Sequence, residues 1–189
     1  MQDTEIVVGV SGGIAAYKSA IVVSHLVQRG FGVRVVMTAA AKEFVGEATF
    51  AALSGRPVVT ELFDRSYPLG AHIELARTSD ILCVAPATAN FVAKAALGLA
   101  DDLLSSLYLC FQGAVIAAPA MNCEMWDKPA VQRNIKRLAE DGVQIIDPVE
   151  GWLSCRVKGM GRMADPEQII EAIVALTGRT QLPEEHDAP

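Results

Sequence analysis

The sequence predicts an α/β fold, a three-layer α/β/α Rossmann-like sandwich with a mostly parallel sheet. Two observations predict it. Short aliphatic, β-branched runs alternate with helical segments along most of the chain. Hydrophobic residues make up 51% of the 189 residues, while aromatic residues make up only 6%, a composition that suits a sheet buried on both faces. We therefore expect a single domain over residues 1–177 and a flexible, polar, Pro-rich C-terminal tail over residues 178–189.

The individual elements follow from hydrophobic periodicity and from turn residues. The predicted strands cover residues 5–10, 33–37, 81–85, 114–118 and 143–146. The predicted helices cover residues 14–29, 40–53 in two pieces, 88–109 with a break near residues 98–102, 129–141 and 166–176. Gly30 ends the first helix, Pro86 and Pro119 end the third and fourth strands, and Asp165 caps the last helix. Strand–helix–strand units of this length form right-handed parallel connections.

Composition and charge exclude several classes of function. The net charge is −6 and no Lys/Arg run stands out, so we expect neither nucleic acid nor a membrane surface as a partner. No apolar stretch reaches the ~20 residues of a membrane helix, and the acidic N-terminus does not resemble a secretory signal. The four cysteines lack a CxxC pair or metal-ligand spacing, so we expect reduced thiols, no metal and a cytoplasmic location.

A glycine turn, Ser11-Gly12-Gly13, follows the first strand. Glycines here let backbone N–H groups approach an anion at the start of the next helix. A dinucleotide fingerprint would need a third Gly where Ala15 or Ala16 stands, and a P-loop would need Gly at Tyr17. The second strand ends at Thr38, a hydroxyl, where a dinucleotide site has an acid for ribose. The pattern favours a mononucleotide phosphate over NAD, and a plain tight turn is the alternative.

The loops after the third and fourth strands are also unusual. Small residues around Thr88 and Asn90 leave room for a flat ligand and offer hydrogen bonds, although Thr88 could simply cap a helix. The segment Pro119–Trp126 carries two Met, one Trp and one Asn. Together with Phe91, this apolar surface predicts cover by a ligand or a second subunit.

Two further residues are candidates for chemistry. His72 precedes the third strand, and a lone histidine in such a place is more often structural than catalytic. Cys155 lies in a glycine-rich loop beside Arg156 and Lys158, an electropositive setting that makes a thiol usable as an acid or a nucleophile. Cys83 and Cys110, in apolar segments, are interpreted as inert core.

These loops together resemble the homo-oligomeric flavin-containing cysteine decarboxylases over residues 5–176. The glycine turn matches their flavin-phosphate turn, and residues 87–91 are similar to Pro-x-Ser-Ala-Asn-Thr, with Thr88 for Ser and Phe91 for the final Thr. Residues 119–126 fit Pro-x-Met-Asn-x-x-Met-Trp fully, and His72 falls in a His-Ile-x-Leu motif. Residues 153–163 resemble the Cys-bearing flap, with Ser154 where Ala is usual.

The resemblance implies FMN as cofactor and an active site shared between the subunits of a trimer. It implies that His72 is the base of an oxidative half-reaction, that Cys155 is the acid of a reductive half-reaction, and that Asn122 and Met125 bind substrate. The residues that it assigns to the cofactor are Ser11, Gly12, Gly13, Thr38, Thr88, Ala89, Asn90, Phe91 and Ala120.

The implied substrate is 4'-phosphopantothenoylcysteine, converted to 4'-phosphopantetheine and CO2 in coenzyme A biosynthesis. Two alternatives stay open: a peptidyl-cysteine decarboxylase of lantibiotic type, and a non-catalytic FMN-binding regulatory homologue. The joint presence of His72, Asn122 and Cys155 argues against the regulatory homologue. Some family members are fused to a synthetase domain, and at 189 residues we expect a stand-alone decarboxylase.

Overall fold

The computed structural model describes residues 4–178, and its centre is a five-stranded, entirely parallel sheet. The strands lie in the order β2-β1-β3-β4-β5. Their bounds are β1 Glu5–Val10, β2 Gly32–Met37, β3 Ile81–Ala87, β4 Ala114–Pro119 and β5 Gln144–Ile145. The strand order reverses direction between β1 and β3, and parallel α/β sheets bind ligands at such a point. The predicted Rossmann-like sandwich is confirmed.

Eight α-helices and one 3-10 helix are present within residues 4–178. The 3-10 helix is Ala39–Glu43, and the α-helices are α1 Ala16–Gln28, α2 Glu47–Ser54, α3 Ala71–Arg77, α4 Ala89–Leu97, α5 Leu103–Cys110, α6 Cys123–Trp126, α7 Pro129–Glu140 and α8 Pro166–Thr177. Each of these helices is too short or too polar to reach across a lipid bilayer.

The three layers follow from the alternation of side chains along each strand. In β1, Ile6 and Val8 pack into a core with α1, α2 and α8, while Val7 packs into a second core with α3, α4, α5 and α7. In β3, Cys83 faces the first core and Leu82 faces the second. Both faces of the sheet are therefore buried, as the aliphatic composition predicts.

Helix α3, the short helix α6 and a β-hairpin were not predicted. Helix α3 carries His72 and lies in a segment without a recognisable period. The glycine-rich stretch after β5 forms an antiparallel hairpin of β6 Val149–Trp152 and β7 Lys158–Arg162. We call residues 149–162 the flap and residues 153–157 the flap tip. The strand β7 could not be predicted from its sequence, because it contains glycines and glycine is depleted in strands.

Two predicted strand ends are wrong: Pro86 does not end the third strand, which continues to Ala87, and Pro119 belongs to the fourth strand as its last residue. The register of β3 against β4 shifts between Val84 and Ala87, so Pro86 lies at an irregularity where its missing N–H breaks no regular ladder bond. Asp165 caps α8, as predicted. Nearly all of the predicted tail, residues 179–189, lies outside the described residues.

Candidate active site

A cleft of about 980 Å³ opens at the carboxyl ends of β1, β2, β3 and β4. Loops after all four strands line it, together with the flap. It contains every residue assigned from sequence to cofactor or substrate, and it contains Cys155. These residues are Ser11, Gly12, Gly13, Thr38, Thr88, Ala89, Asn90, Phe91, Ala120, Asn122 and Met125. His72 is not part of it.

The glycine turn is fastened to the end of β3. The Ser11 hydroxyl donates to the carbonyl oxygen of Pro86 at 2.6 Å and accepts the backbone N–H of Thr88 at 3.0 Å. Gly12 approaches the chain after β2 so closely that a Cβ there would collide with the side chain and backbone of Ala40. The loop conformation therefore depends on buried hydrogen bonds and on a position that only glycine fits.

The start of α4 presents unpaired backbone donors to the cleft. Its N-cap, Thr88, makes no capping hydrogen bond with its side chain. Within the described residues, the backbone N–H groups of Ala89, Asn90 and Phe91 find no acceptor. Such donors at a helix N-terminus form an anion site. Thr38, at the end of β2, adds a hydroxyl to the cleft lining and accepts the N–H of Ala41 at 3.2 Å.

Asn122 and Cys155 meet although 33 positions separate them in the sequence. The amide oxygen of Asn122 accepts the N–H groups of Glu124 at 2.8 Å and Met125 at 3.3 Å, which caps α6. This cap fixes the rotation of the amide, and its Nδ2 then donates to the Cys155 sulfur at 3.2 Å. The amide N–H groups are thereby directed to the same place as the thiol.

The second strand of the flap is bound to the loop after β4. The N–H of Met121 donates to the carbonyl oxygen of Gly161 at 2.9 Å. A Cβ at Gly159 would lie 2.9 Å from the Cβ of Cys123, so the two backbones approach closely. The loop that carries Asn122 and the strand after Cys155 therefore pack as one unit.

The flap tip is a tight turn. The N–H of Arg156 donates to the carbonyl oxygen of Leu153, and the N–H of Leu153 donates to that of Val157, both at 2.9 Å. Arg156 has φ of 64°, the one non-glycine residue with positive φ between residues 4 and 178. A left-handed conformation costs a side-chain-bearing residue about 1 kcal/mol, so glycine would be the less strained choice at this position.

His72 lies in the first turn of α3, half-buried and outside the cleft. Its Nδ1 is buried and makes no hydrogen bond among the described residues. Buried polar atoms are nearly always satisfied, so an unpartnered imidazole nitrogen needs a reason. Within one chain, the structure does not bring His72 together with Asn122 and Cys155.

Three cations line the cleft that were not selected from sequence: Lys18, Lys94 and Arg162. Lys18 is buried and donates to the carbonyl oxygen of Met163 at 3.2 Å and to Asp165 at 3.1 Å. The hydrogen bonds of Lys18 and Arg162 lower the pKa of the Asp165 carboxyl below its ordinary value. A lone lysine in the apolar first helix, five positions after the glycine turn, was the available signal for Lys18.

The other cysteines and aromatic residues differ in part from expectation. Burial raises the pKa of the Cys83 thiol to about 12, which agrees with an inert core residue. Cys110 is only half-buried. Phe91 was expected to contribute exposed apolar surface, but it is only 4% exposed because it packs edge-on against Tyr108. Met125 is 46% exposed, so apolar surface remains at the cleft.

Comparison with known proteins agrees with this architecture. A parallel α/β sandwich with its cleft at the strand ends belongs to the Rossmann-like class. The Flavoprotein family profile matches residues 1–178, so the chain belongs to that family.

Among curated relatives, the coenzyme A biosynthesis bifunctional protein CoaBC of Bacillus subtilis is 45% identical over 172 residues, which is 90% of this chain and 42% of the relative. The CoaBC of Mycobacterium tuberculosis is 45% identical over 165 residues, 87% of this chain and 39% of the relative. The chain thus spans about two fifths of the length of these relatives.

Solved structures cover the chain more fully. The FMN-dependent cysteine decarboxylase SpaF matches with a TM-score of 0.80 and 36% identity, over 93% of this chain and 98% of the other. A cysteine-to-serine variant of PPC decarboxylase, complexed with pantothenoylaminoethenethiol, matches with a TM-score of 0.82 and 28% identity, over 94% and 100%. The resemblance to flavin-dependent cysteine decarboxylases is confirmed.

Proposed function

We propose that the chain binds FMN in the cleft and decarboxylates 4'-phosphopantothenoylcysteine to 4'-phosphopantetheine and CO2, a step of coenzyme A biosynthesis. The observation that carries the proposal is the amide of Asn122 directed at the thiol of Cys155. The same cleft contains the glycine turn and the free N–H groups at the start of α4, residues 11–13 and 88–91, which we call the cradle. The similarity to CoaBC proteins and to a PPC decarboxylase supports this substrate.

The residues of the cleft fit FMN. The free N–H groups at the start of α4, with the glycine turn and the Thr38 hydroxyl, suit a phosphate without requiring a basic side chain. Small residues such as Ala89 and Ala120 leave space for a flat ring system. A cleft of about 980 Å³ is at the upper end of the usual ~300–1,000 Å³ range, which leaves room for substrate beside the cofactor.

Loss of CO2 from a cysteine amide leaves an electron pair on carbon, and no neighbouring group can accept it. The substrate must therefore first be converted to a form that has an electron-accepting group next to that carbon. When bound, FMN supplies a two-electron couple that takes a hydride from the substrate Cβ and returns it later. The residues of the chain transfer the protons and bind the substrate carboxylate. His72 takes the thiol proton as the C–S bond becomes C=S, the acceptor that CO2 loss requires.

Asn122 orients the departing carboxylate. Its amide oxygen is fully used in capping α6, so its N–H groups are held in one direction and can donate to the substrate. Cys155 gives a proton to the enethiolate carbon skeleton at the end of the cycle. Its exposed thiol on the flap tip lies beside the Asn122 amide and can exchange its proton with water between turnovers. Each such proton transfer is worth ~10²–10⁴ in rate.

We also propose a homo-oligomer, most simply a trimer, whose active site combines two chains. The motivation is His72, which lies outside the cleft of its own chain with an unpartnered buried nitrogen. A neighbouring subunit that brings its cleft against α3 would give this nitrogen a function. Exposed apolar side chains at the cleft edge, Ile14 at 56% and Tyr17 at 55%, are suited to such an interface.

The cytoplasm is the proposed location, because all four cysteines are free and one of them, Cys155, is exposed. A peptidyl-cysteine substrate is the second candidate, because SpaF, at 36% identity, is a cysteine decarboxylase whose name does not restrict the substrate to 4'-phosphopantothenoylcysteine. A non-catalytic role is disfavoured, because Asn122 and Cys155 are held in contact.

The test combines a spectrum with an assay. The purified protein is expected to be yellow and to release FMN, and neither FAD nor NAD, on denaturation. The FMN-loaded protein should then evolve CO2 from 4'-phosphopantothenoylcysteine and yield 4'-phosphopantetheine by mass. A colourless protein that FMN cannot reconstitute would refute the cofactor assignment, and a yellow protein that decarboxylates only C-terminal cysteine peptides would refute the substrate.

A further inference from the structure

Arg156 combines an unfavourable backbone conformation with a free charge. Its φ of 64° places it at the left-handed position of the flap tip, where glycine is less strained. Sparsely populated backbone conformations cluster at active sites and in segments that hold ligands. The side chain of Arg156 is exposed and follows directly after Cys155, which lines the cleft.

The other cations of the cleft and the flap are already neutralised. Lys18 and Arg162 share Asp165, at 3.1 and 2.8 Å. Lys94 contacts Asp101 and Asp102, both at 2.7 Å, and Lys158 lies 3.6 Å from Glu150. Within residues 4–178, Arg156 is the one cation of this set without a carboxylate partner.

Arg156 lies on the solvent side of the flap tip, next to Cys155, which contacts Asn122 in the cleft. If Cys155 and Asn122 act on the cysteine end, the remainder of an extended substrate leaves the cleft past the flap tip. The N–H cradle inside the cleft is the place for the cofactor phosphate, so a second phosphate needs its own partner. Arginine presents a fork of donors that matches phosphate geometry.

We propose that Arg156 is a specificity-determining residue, which binds the phosphate of a phosphorylated cysteine substrate at the rim of the cleft. This inference rests on the proposed function. It separates the two substrate candidates, because a peptide with a C-terminal cysteine presents no phosphate there. Arg156 contributes binding and leaves the proton transfers to His72 and Cys155.

The test compares 4'-phosphopantothenoylcysteine with pantothenoylcysteine, which lacks only the phosphate. The measured quantity is the ratio of kcat/KM between the two substrates, for wild type, Arg156→Asn and Lys158→Gln. Asparagine tolerates the left-handed conformation, so Arg156→Asn removes the charge without forcing the turn to change. Lys158→Gln removes an equal charge two positions away. It is the matched control for a non-specific effect of lowering the positive charge of the flap.

We expect Arg156→Asn to lower the ratio about tenfold, the size of one charge-assisted hydrogen bond partly exposed to water, through a higher KM for the phosphorylated substrate. Lys158→Gln should change the ratio less than about twofold. A wild-type ratio near one, an unchanged ratio in Arg156→Asn, or equal losses in both variants would overturn the inference. Failure of the wild type to decarboxylate either substrate would instead refute the proposed function, and the inference with it.

Discussion

The glycine turn, which is part of the proposed cofactor cradle, and the flap line the same cleft, but they are built differently. The cradle joins the buried ends of β1 and β3 through the Ser11 hydroxyl, and Gly12 fits against Ala40 without space for a Cβ. The flap is a two-stranded ribbon outside the main sheet, with an exposed tip and a left-handed Arg156. In the proposed function, cofactor binding therefore depends on a turn fastened to the buried core, while substrate selection and the last proton transfer depend on a peripheral element.

The largest expected effect breaks the cradle. Gly12→Ala places a methyl group against the side chain and backbone of Ala40, and overpacking of this kind costs about 1–3 kcal/mol. The displaced turn should lose FMN, measured as flavin absorbance per protein after gel filtration. Gly13→Ala is the matched control for stability, because its Cβ would lie 3.4 Å from Thr88, an ordinary contact. Equal flavin content and unfolding temperature in Gly12→Ala and wild type would show that the cradle is adaptable.

The next effect separates chemistry from cofactor binding. His72→Asn is expected to retain FMN, because His72 is assigned to proton transfer, while the proposed phosphate cradle consists of other residues of the cleft. Decarboxylation should fall ~10²-fold or more with the loss of a general base. Labelled CO2 release measures the rate and the flavin spectrum measures occupancy. A rate within a few-fold of wild type would remove His72 from the mechanism.

A smaller effect tests the two functions of Asn122. Aspartate is a good N-cap and keeps the oxygen that accepts the Glu124 and Met125 N–H groups. Asn122→Asp nevertheless loses the amide donor and places a carboxylate against the substrate carboxylate. We expect kcat/KM to fall about 10- to 100-fold while the unfolding temperature stays near wild type. Asn122→Ser loses the amide donor without adding a charge, so its kcat/KM should fall less than that of Asn122→Asp. A larger fall in Asn122→Ser than in Asn122→Asp would contradict the assigned contact.

The smallest effect concerns the base of the flap. The pKa of Asp165 is lowered by hydrogen bonds from Lys18 and Arg162, so its stabilisation is present above the unfolded pKa and is lost as the pH falls through the folded one. Asp165→Asn should destabilise the protein at neutral pH by less than ~1 kcal/mol, since Asp165 is exposed. In urea titrations, the difference in unfolding free energy between wild type and Asp165→Asn should shrink as the pH falls below 3.8, the ordinary pKa of an Asp carboxyl. A difference that persists unchanged in acid would assign the loss to helix capping.

The same contrast explains what could be predicted from sequence. The sheet, its order of strands and helices, and the cradle residues follow from local patterns: an aliphatic run, then Ser11-Gly12-Gly13, then a helix. The break at Gly98 and the cap at Asp165 are local signals of the same kind. All of these depend on residues within a few positions of one another.

The features that were missed depend on distant contacts. The hairpin exists because Gly159 and Gly161 in β7 pack against Cys123 and Met121 in the loop after β4, and no local pattern encodes that approach. The left-handed Arg156 could not be predicted, because its residue type argues against the conformation that it adopts. His72 lies apart from the cleft because its helix packs on α5, on one side of the sheet.

Replacement of Cys155 by serine tests the division of labour most directly. A hydroxyl is a far poorer proton donor than the exposed thiol, whereas the cradle and His72 are untouched. The FMN-loaded Cys155→Ser variant is expected to oxidise and decarboxylate 4'-phosphopantothenoylcysteine and then to stall, with bleached flavin absorbance. Its product should be an enethiol that mass spectrometry finds two hydrogens lighter than 4'-phosphopantetheine. A product of normal mass formed at the wild-type rate would contradict the account and reduce Cys155 to a flap residue without a part in the reaction.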